Sequence, residues 1–284
     1  MKIKLLFLLS IAAITTTFCM AAGKPQHSTT KSKSKPTPEA TPQNASDSMT
    51  GSSTGSDKYT YNNCKVDGPY IAMTFDDGPH PKLTPRLLDM LKERGLKATF
   101  FLIGQNAAAN PEIVQRIVAE GHELGNHSWD HKALNKMGAD GVKMEIVQTN
   151  EAIQQAVGIK PVIMRPPYGA TSPAISKRLN EEFGQKVIMW SVDPLDWKDR
   201  SASLVTDRIL KNTAPGAIIL AHDIHQSTVD AMPATLDGLL SKGFKFATVS
   251  ELIKMDQAQS VQSASTSPAT PAAQPKASAA PYMR

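Results

Sequence analysis

Apolar and polar positions along this chain switch repeatedly between two periods. A short apolar run at 70–75 precedes a segment with Leu87, Leu88 and Leu91 on one helical face, the pattern of a strand followed by an amphipathic helix. Thr84 is the expected N-cap of that helix, Pro85 its first residue and Gly95 its stop. A second strand is expected at 98–103. Asn110-Pro111 then opens a helix carrying Ile113, Val114, Ile117 and Val118, closed by Gly121. Later apolar runs at 162–164, 187–192, 217–221 and 244–249 read as strands, with helical segments around 139–157, 173–183, 203–212 and 229–242. Such alternation predicts an α/β fold of parallel strands joined by crossover helices. About seven repeats make a (β/α) barrel the economical architecture, with an open doubly wound sheet as the alternative.

The flanks break the pattern. Lys2 and Lys4 precede an apolar run at 5–14, and Ala21 and Ala22 follow it, so 1–22 reads as an export signal. The run is short for a bilayer span; an uncleaved anchor is the alternative. Residues 23–62 are rich in Ser, Thr, Pro and Lys, and 257–284 repeat that composition. Neither stretch holds enough apolar surface to offset its ordering entropy. Both are expected to be disordered, leaving 63–256 as the folded domain. Cys19 would leave with the signal, so Cys64 has no intramolecular partner and the exported fold must stand without disulfides. Charge sharpens the division. The chain's net +5 sits in its tails, because 63–256 hold 22 basic against 23 acidic residues. A nucleic-acid-binding domain would carry the excess on its folded surface, so that class is set aside. The basic tails suit at most a loose association with an anionic envelope. The chain is expected to be a monomer.

Each polar cluster follows an apolar strand run, and strand ends in parallel α/β folds converge on one face. Asp76-Asp77-Gly78-Pro79 puts two carboxylates at a buried strand end, where a cation or a proton must compensate them. His127 and His131 stand at i and i+4, a spacing at which two imidazoles face one way and hold a metal. Two His and one Asp form a recurrent set for a catalytic divalent ion with open positions. Arg165-Pro166-Pro167-Tyr168 is a stiff extended segment that places Arg165 near a carboxylate and Tyr168 toward a ligand. Asp193-Pro194-Leu195-Asp196-Trp197 brings two acids and an aromatic platform, while Trp190 reads as core. His222 at a strand end is the candidate general acid; His225 lies further into the loop. His27, His80 and His122 lack such partners and read as ordinary histidines.

Together, TFDDGP, HSWDH, RPPYG, DPLDW and LAH, in that order across about 66–255, resemble the NodB-homology polysaccharide deacetylases, the fourth carbohydrate esterase family. The resemblance implies a distorted (β/α) barrel, often of seven strands, and a divalent metal, usually zinc. It implies Asp77, His127 and His131 as metal ligands, Asp76 as general base and His222 as general acid. Arg165 would orient Asp76. One acid of the Asp193/Asp196 pair would orient a catalytic partner, with Asp196 assigned to His222. Tyr168 would give its backbone N–H to the oxyanion, and Trp197 and Leu220 would wall the acetyl and sugar pocket. The implied activity is removal of N-acetyl groups from N-acetylglucosamine units of an envelope polymer, peptidoglycan first. Chitin oligosaccharides or acetylxylan are the alternatives within this chemistry, and an inactive sugar-binding protein lies outside it. The expected location is exported: periplasm, envelope or outside the cell.

Overall fold

The computed structural model describes residues 58–265, with side chains as far as 260. The expected signal, most of the linker and the end of the chain lie outside the described residues. Within them the elements run β1 (Thr60–Tyr61), β2 (Tyr70–Asp76), α1 (Leu83–Glu93), β3 (Thr99–Leu102), α2 (Gly104–Ala109), α3 (Pro111–Ala119), β4 (Glu123–Asn126), α4 (Ala139–Val157), β5 (Ile163–Met164), α5 (Pro173–Phe183), β6 (Lys186–Ile188), α6 (Asp196–Asp199), α7 (Ala202–Asn212), β7 (Ile218–Ile219), α8 (Gln226–Ser241), β8 (Lys245–Phe246) and α9 (Val249–Ser265). No helix among the described residues is long and apolar enough to cross a membrane.

The sheet order is β1-β6-β5-β4-β3-β2-β7, with β8 pairing to Tyr70 and Ile71 of β2, and every named pair is parallel. A parallel bridge from Val192 to Ile219 joins the chain beyond β6 to β7 and closes the ring. The expected barrel is therefore present in distorted form, with strands of only two to seven residues. Strand β2 pairs with β3, β7 and β8 in its wall, and six of its seven residues are buried, as a strand covered on both faces must be. The leucines of α1 pack with Phe75, Phe100 and the α3 and α8 apolar faces in one core cluster.

Several expectations need correction. Thr84 does not cap α1. Its hydroxyl accepts the His80 N–H at 2.7 Å and donates to the buried carboxylate of Asp223, while His80 Nδ1 takes the N–H groups of Lys82 and Leu83. Strand β4 was not among the apolar runs because it reads Glu-Leu-Gly-Asn. A Cβ at Gly125 would lie 2.3 Å from the Phe101 ring, so the smallest residue is what lets the two strands close. The expected boundaries also move outward. Thr60–Tyr61 pairs with Val187 and Ile188 inside the supposed linker, and α9 continues past 257 to Ser265. Trp190 lies beyond β6, half-buried, rather than in the strand core. Cys64 is buried and idle, its thiol pushed up to about 12, mainly by burial.

Candidate functional site

Six non-glycine residues take left-handed backbone among the described residues: Asp77, Ser128, His131, Tyr168, Leu195 and Arg200. All six sit in the segments that follow β2, β4, β5 and β6. Such conformations persist only where surroundings impose them and tend to cluster at functional sites. Here they turn the chain at strand ends and aim the polar clusters at one another.

Arg165 is the buried hub of one side. Nη1 donates to Asp76 Oδ1 and to Thr74 Oγ1, each at 2.7 Å, while Nε and Nη2 donate to the carbonyls of Ile188 and Met189 at 3.1 and 3.0 Å. Its plane lies over the Phe101 ring at 4.2 Å and approaches Trp190 at 5.6 Å. Burial pulls the guanidinium's pKa down and Asp76 opposes that pull. With Oδ1 of Asp76 thus held, Oδ2 faces the histidines, 3.8 Å from His127 Nε2.

The next three residues form a triad. His127 Nδ1 lies 2.6 Å from the carbonyl oxygen of Arg165. A carbonyl only accepts, so Nδ1 carries the proton and Nε2 presents a lone pair. That Nε2 stands 3.3 Å from Asp77 Oδ1, as does His131 Nε2. Asp77 Oδ1 is buried and receives no hydrogen bond, and donor atoms of all three residues lie within 4.8 Å of one another. Burial alone would raise the Asp77 carboxyl; His127, His222 and His131 hold it well below the usual carboxylate range, an effect they exert in their protonated forms. Burial, with His127 beside it, lowers His131. Lone pairs converging on a buried, unsatisfied oxygen are what a divalent cation compensates, and one carboxylate with two imidazoles is a suitable donor set. The residues present therefore fit a divalent metal. The loop carrying both histidines is fixed from below: Glu145 Oε2 accepts the N–H groups of Trp129 and Asp130, and Asn126 Oδ1 accepts that of Ser128.

Across the site stands His222. Its Nδ1 lies 2.8 Å from Asp196 Oδ1, and its backbone N–H donates to Asp196 Oδ2 at 2.8 Å. Thr228 donates a third bond to the same carboxylate at 2.7 Å. Of the two acids in that segment, it is Asp196 that meets His222. Asp193 instead accepts the Leu195 N–H at 2.8 Å and is raised, chiefly by burial. Burial would lower His222, but Asp196, with Asp76 and Asp77 behind it, pushes it up to about 9. Asp196 moves the other way, its burial outweighed by His222 and Thr228.

The expected sugar-contact residues divide. Tyr168 is 73 % exposed and its ring meets His131 edge-on at 4.6 Å. Trp197 is 37 % exposed, next to Asp196. Leu220 is buried and offers almost no surface to a ligand. The sequence reading missed Thr74, Glu145 and Thr228, which act at one remove, and Asp223, a fully buried carboxyl pushed up to about 7, mainly by burial. A Cβ at Gly78 would lie 2.5 Å from the Asp223 carboxylate, so the glycine of the Asp-Asp-Gly-Pro turn marks its place. His122 is structural: its Nδ1 accepts the Ala98 N–H at 3.1 Å, and burial takes it down to about 4.

Comparison with known proteins gives this arrangement a context. Residues 63–188 match the family model described as polysaccharide deacetylase. The chain is 46 % identical over 182 residues to the peptidoglycan-N-acetylglucosamine deacetylase PgdA of Listeria monocytogenes, covering 64 % of this chain and 38 % of that protein. It thus spans well under half of that relative's length. It is 39 % identical over 206 residues to a peptidoglycan-N-acetylglucosamine deacetylase of Bacillus cereus, covering 70 % of this chain and 74 % of that one. The structure of the peptidoglycan deacetylase PdaC from Bacillus subtilis superposes with a TM-score of 0.64 at 36 % identity, covering 71 % of this chain and 96 % of the other.

Proposed function

The chain belongs to the polysaccharide deacetylase family, and we propose that it is a metal-dependent hydrolase removing N-acetyl groups from N-acetylglucosamine units of peptidoglycan. The observation that carries this reading is the opposition of two buried pairs, Arg165–Asp76 and Asp196–His222, across the Asp77, His127 and His131 triad. An acid–base reaction needs two titratable groups with unlike environments, and this site has them. The relatives named for peptidoglycan supply the choice of polymer. The signal-like N-terminus supports an exported location, and zinc is the proposed ion.

Asp77, His127 and His131 would hold the ion. When bound it supplies Lewis acidity toward the acyl oxygen and lowers the pKa of water toward about 7 in the zinc case. Asp76 accepts a proton from the attacking water on Oδ2, since Oδ1 is engaged by Arg165. The water oxygen bonds to the acetyl carbon. Tyr168 offers its backbone N–H to the developing oxyanion, a contact worth about 3 kcal/mol for one such donor. His222, held at Nδ1 by Asp196, gives its Nε2 proton to the nitrogen as the C–N bond breaks. Acetate and a free amine leave; of the two protons the water brought, on Asp76 and on the new carboxyl group, one restores His222 and the other goes to solvent.

Acetate release by the full chain tests the reading on peptidoglycan and on chitin oligomers, each after EDTA and again after added zinc. Zinc-restored release from peptidoglycan is expected. Release from chitin oligomers alone would move the substrate to neutral oligosaccharides. No release from either, with metal bound and the chain folded, would sink the proposal.

A further inference from the structure

An open cleft of about 420 Å³ lies beside His222, lined by Arg200, Ile224, His225, Gln226, Ser227 and Asp230. The His225 ring centroid is 5.8 Å from that of His222, so the cleft adjoins the proposed general acid. Arg200 ends α6, the helix that begins with Asp196, and holds left-handed backbone (φ 50°, ψ 34°). It is exposed. Every other arginine among the described residues has a carboxylate partner: Arg86, Arg94, Arg116, Arg165, Arg178 and Arg208. Arg200 has none. The acid lining the cleft is already taken, because Asp230 pairs with Arg86 at 2.7 Å and accepts the Gln226 amide at 2.8 Å. Burial first, and the Arg200 charge second, lower His225, which leaves a neutral imidazole beside an uncompensated guanidinium. The cleft therefore offers a positive charge and a ring N–H beside His222, and the acid among its lining residues is already paired.

We propose that Arg200 and His225 form an anion subsite that takes a carboxylate on the sugar unit next to the one being deacetylated. A guanidinium matches a carboxylate with two parallel N–H···O bonds. In peptidoglycan every second sugar carries a lactyl ether whose carboxyl group is free wherever the stem peptide has been removed and is otherwise held in its amide bond; chitin carries none. The subsite would make this chain prefer the acidic glycan. The inference rests on the function proposed above, so its test reads binding rather than acetate release.

The full chain is titrated calorimetrically with a peptide-free tetrasaccharide of alternating N-acetylglucosamine and N-acetylmuramic acid, and with the neutral chitin tetramer. The parent chain is expected to bind the acidic ligand about tenfold more tightly, with a preference that shrinks as salt rises. Arg200→Gln is expected to bind both ligands alike, Arg200→Lys to keep part of the preference, and His225→Gln to reduce it. A parent chain without preference, or a preference untouched in Arg200→Gln, would overturn the subsite. A preserved preference with no acetate released from any polymer would sink the proposed reaction and leave the subsite standing.

Discussion

His222 meets a carboxylate on one side and the catalytic cleft on the other, and its acid form is tied to Asp196. Replacing Asp196 by Asn removes the charge that holds the imidazole near 9. The pKa should then fall toward the unperturbed value of about 6.5. The protonated form needed to release the amine would be lost earlier as pH rises. The alkaline limb of kcat/KM is expected to move down by one to two pH units, with kcat at pH 8 reduced at least about tenfold, part of the roughly 10²- to 10⁴-fold that general acids supply. A pH–rate profile for Asp196→Asn that keeps the parent's alkaline limb would refute the coupling. Arg165→Lys tests the other side. A lysine keeps the charge but cannot reproduce four fixed bonds to Asp76, Thr74, Ile188 and Met189. Displacement of Asp76 by even 1 Å is expected to cost about 10²-fold in kcat, with KM little changed; steady-state kinetics on peptidoglycan will check it. At this scale the five ordered motifs in the sequence already named the residues that gather at the site. Their supports were not legible. Thr228, Glu145 and Asn126 reach the site through bonds spanning 16 to 32 residues or from the strand end itself, and no local pattern marks such a partner.

The elements show where periodicity succeeds and where it stops. Helix α4 is long, amphipathic and ended by Gly158 in left-handed backbone, so its limits followed from spacing and punctuation. Strand β1 has only two residues and no alternation to read. It exists because the Tyr59 and Tyr61 carbonyls accept the N–H groups of Val187 and Met189 at 2.8 and 2.7 Å, and because Tyr61 is buried. That pairing reaches the site, since the Met189 carbonyl in turn holds Arg165. Beginning the chain at 63 instead of 58 removes the pairing and the buried tyrosine, about 1.5–3 kcal/mol from side-chain burial alone. Thermal unfolding should then come roughly 5–10 °C lower, with some loss of kcat from a looser Arg165; equal Tm values for the two chains would refute the role of β1. Helix α9 was not among the expected helices for a related reason. Its C-terminal part reads Gln, Ala and Ser, polar and without a stripe, yet Asp256 within it accepts the Lys65 N–H at 2.7 Å and an ion pair from Lys58.

For the whole molecule, the buried titratable groups predict how stability varies with pH. The folded-state pKa of Asp223 is raised from 3.8 to about 7, so folding holds that proton between the two values and stability falls as pH rises through the window. His222 is raised from 6.5 to about 9; its contribution is complete below 6.5 and is lost as pH climbs through 9. Asp196 is lowered, so its contribution is present above the ordinary carboxylate range and is lost on acidification. His122, lowered from 6.5 to about 4, works oppositely: the unfolded chain holds the extra proton between those values, so stability rises with pH there and offsets the Asp223 slope. The metal-free chain is therefore expected to be most stable between roughly pH 4 and 6.5. Asp223→Asn should remove the first slope, by up to about 1.4 kcal/mol per pH unit, while keeping an acceptor for Thr84. Metal binding pulls the other way, because His127 and His131 ligate only when neutral. A divalent ion at about 100 times its Kd adds about 2.7 kcal/mol, roughly 5–10 °C in Tm, and the gain should be larger at pH 7.5 than at pH 5.5. The optimum of the loaded protein should thus sit at higher pH than that of the apo chain. Thermal unfolding with EDTA and with zinc, at both pH values, separates these terms. His127→Gln and His131→Gln are expected to erase the metal-dependent gain. A gain that survives in both variants would place the ion elsewhere in the molecule.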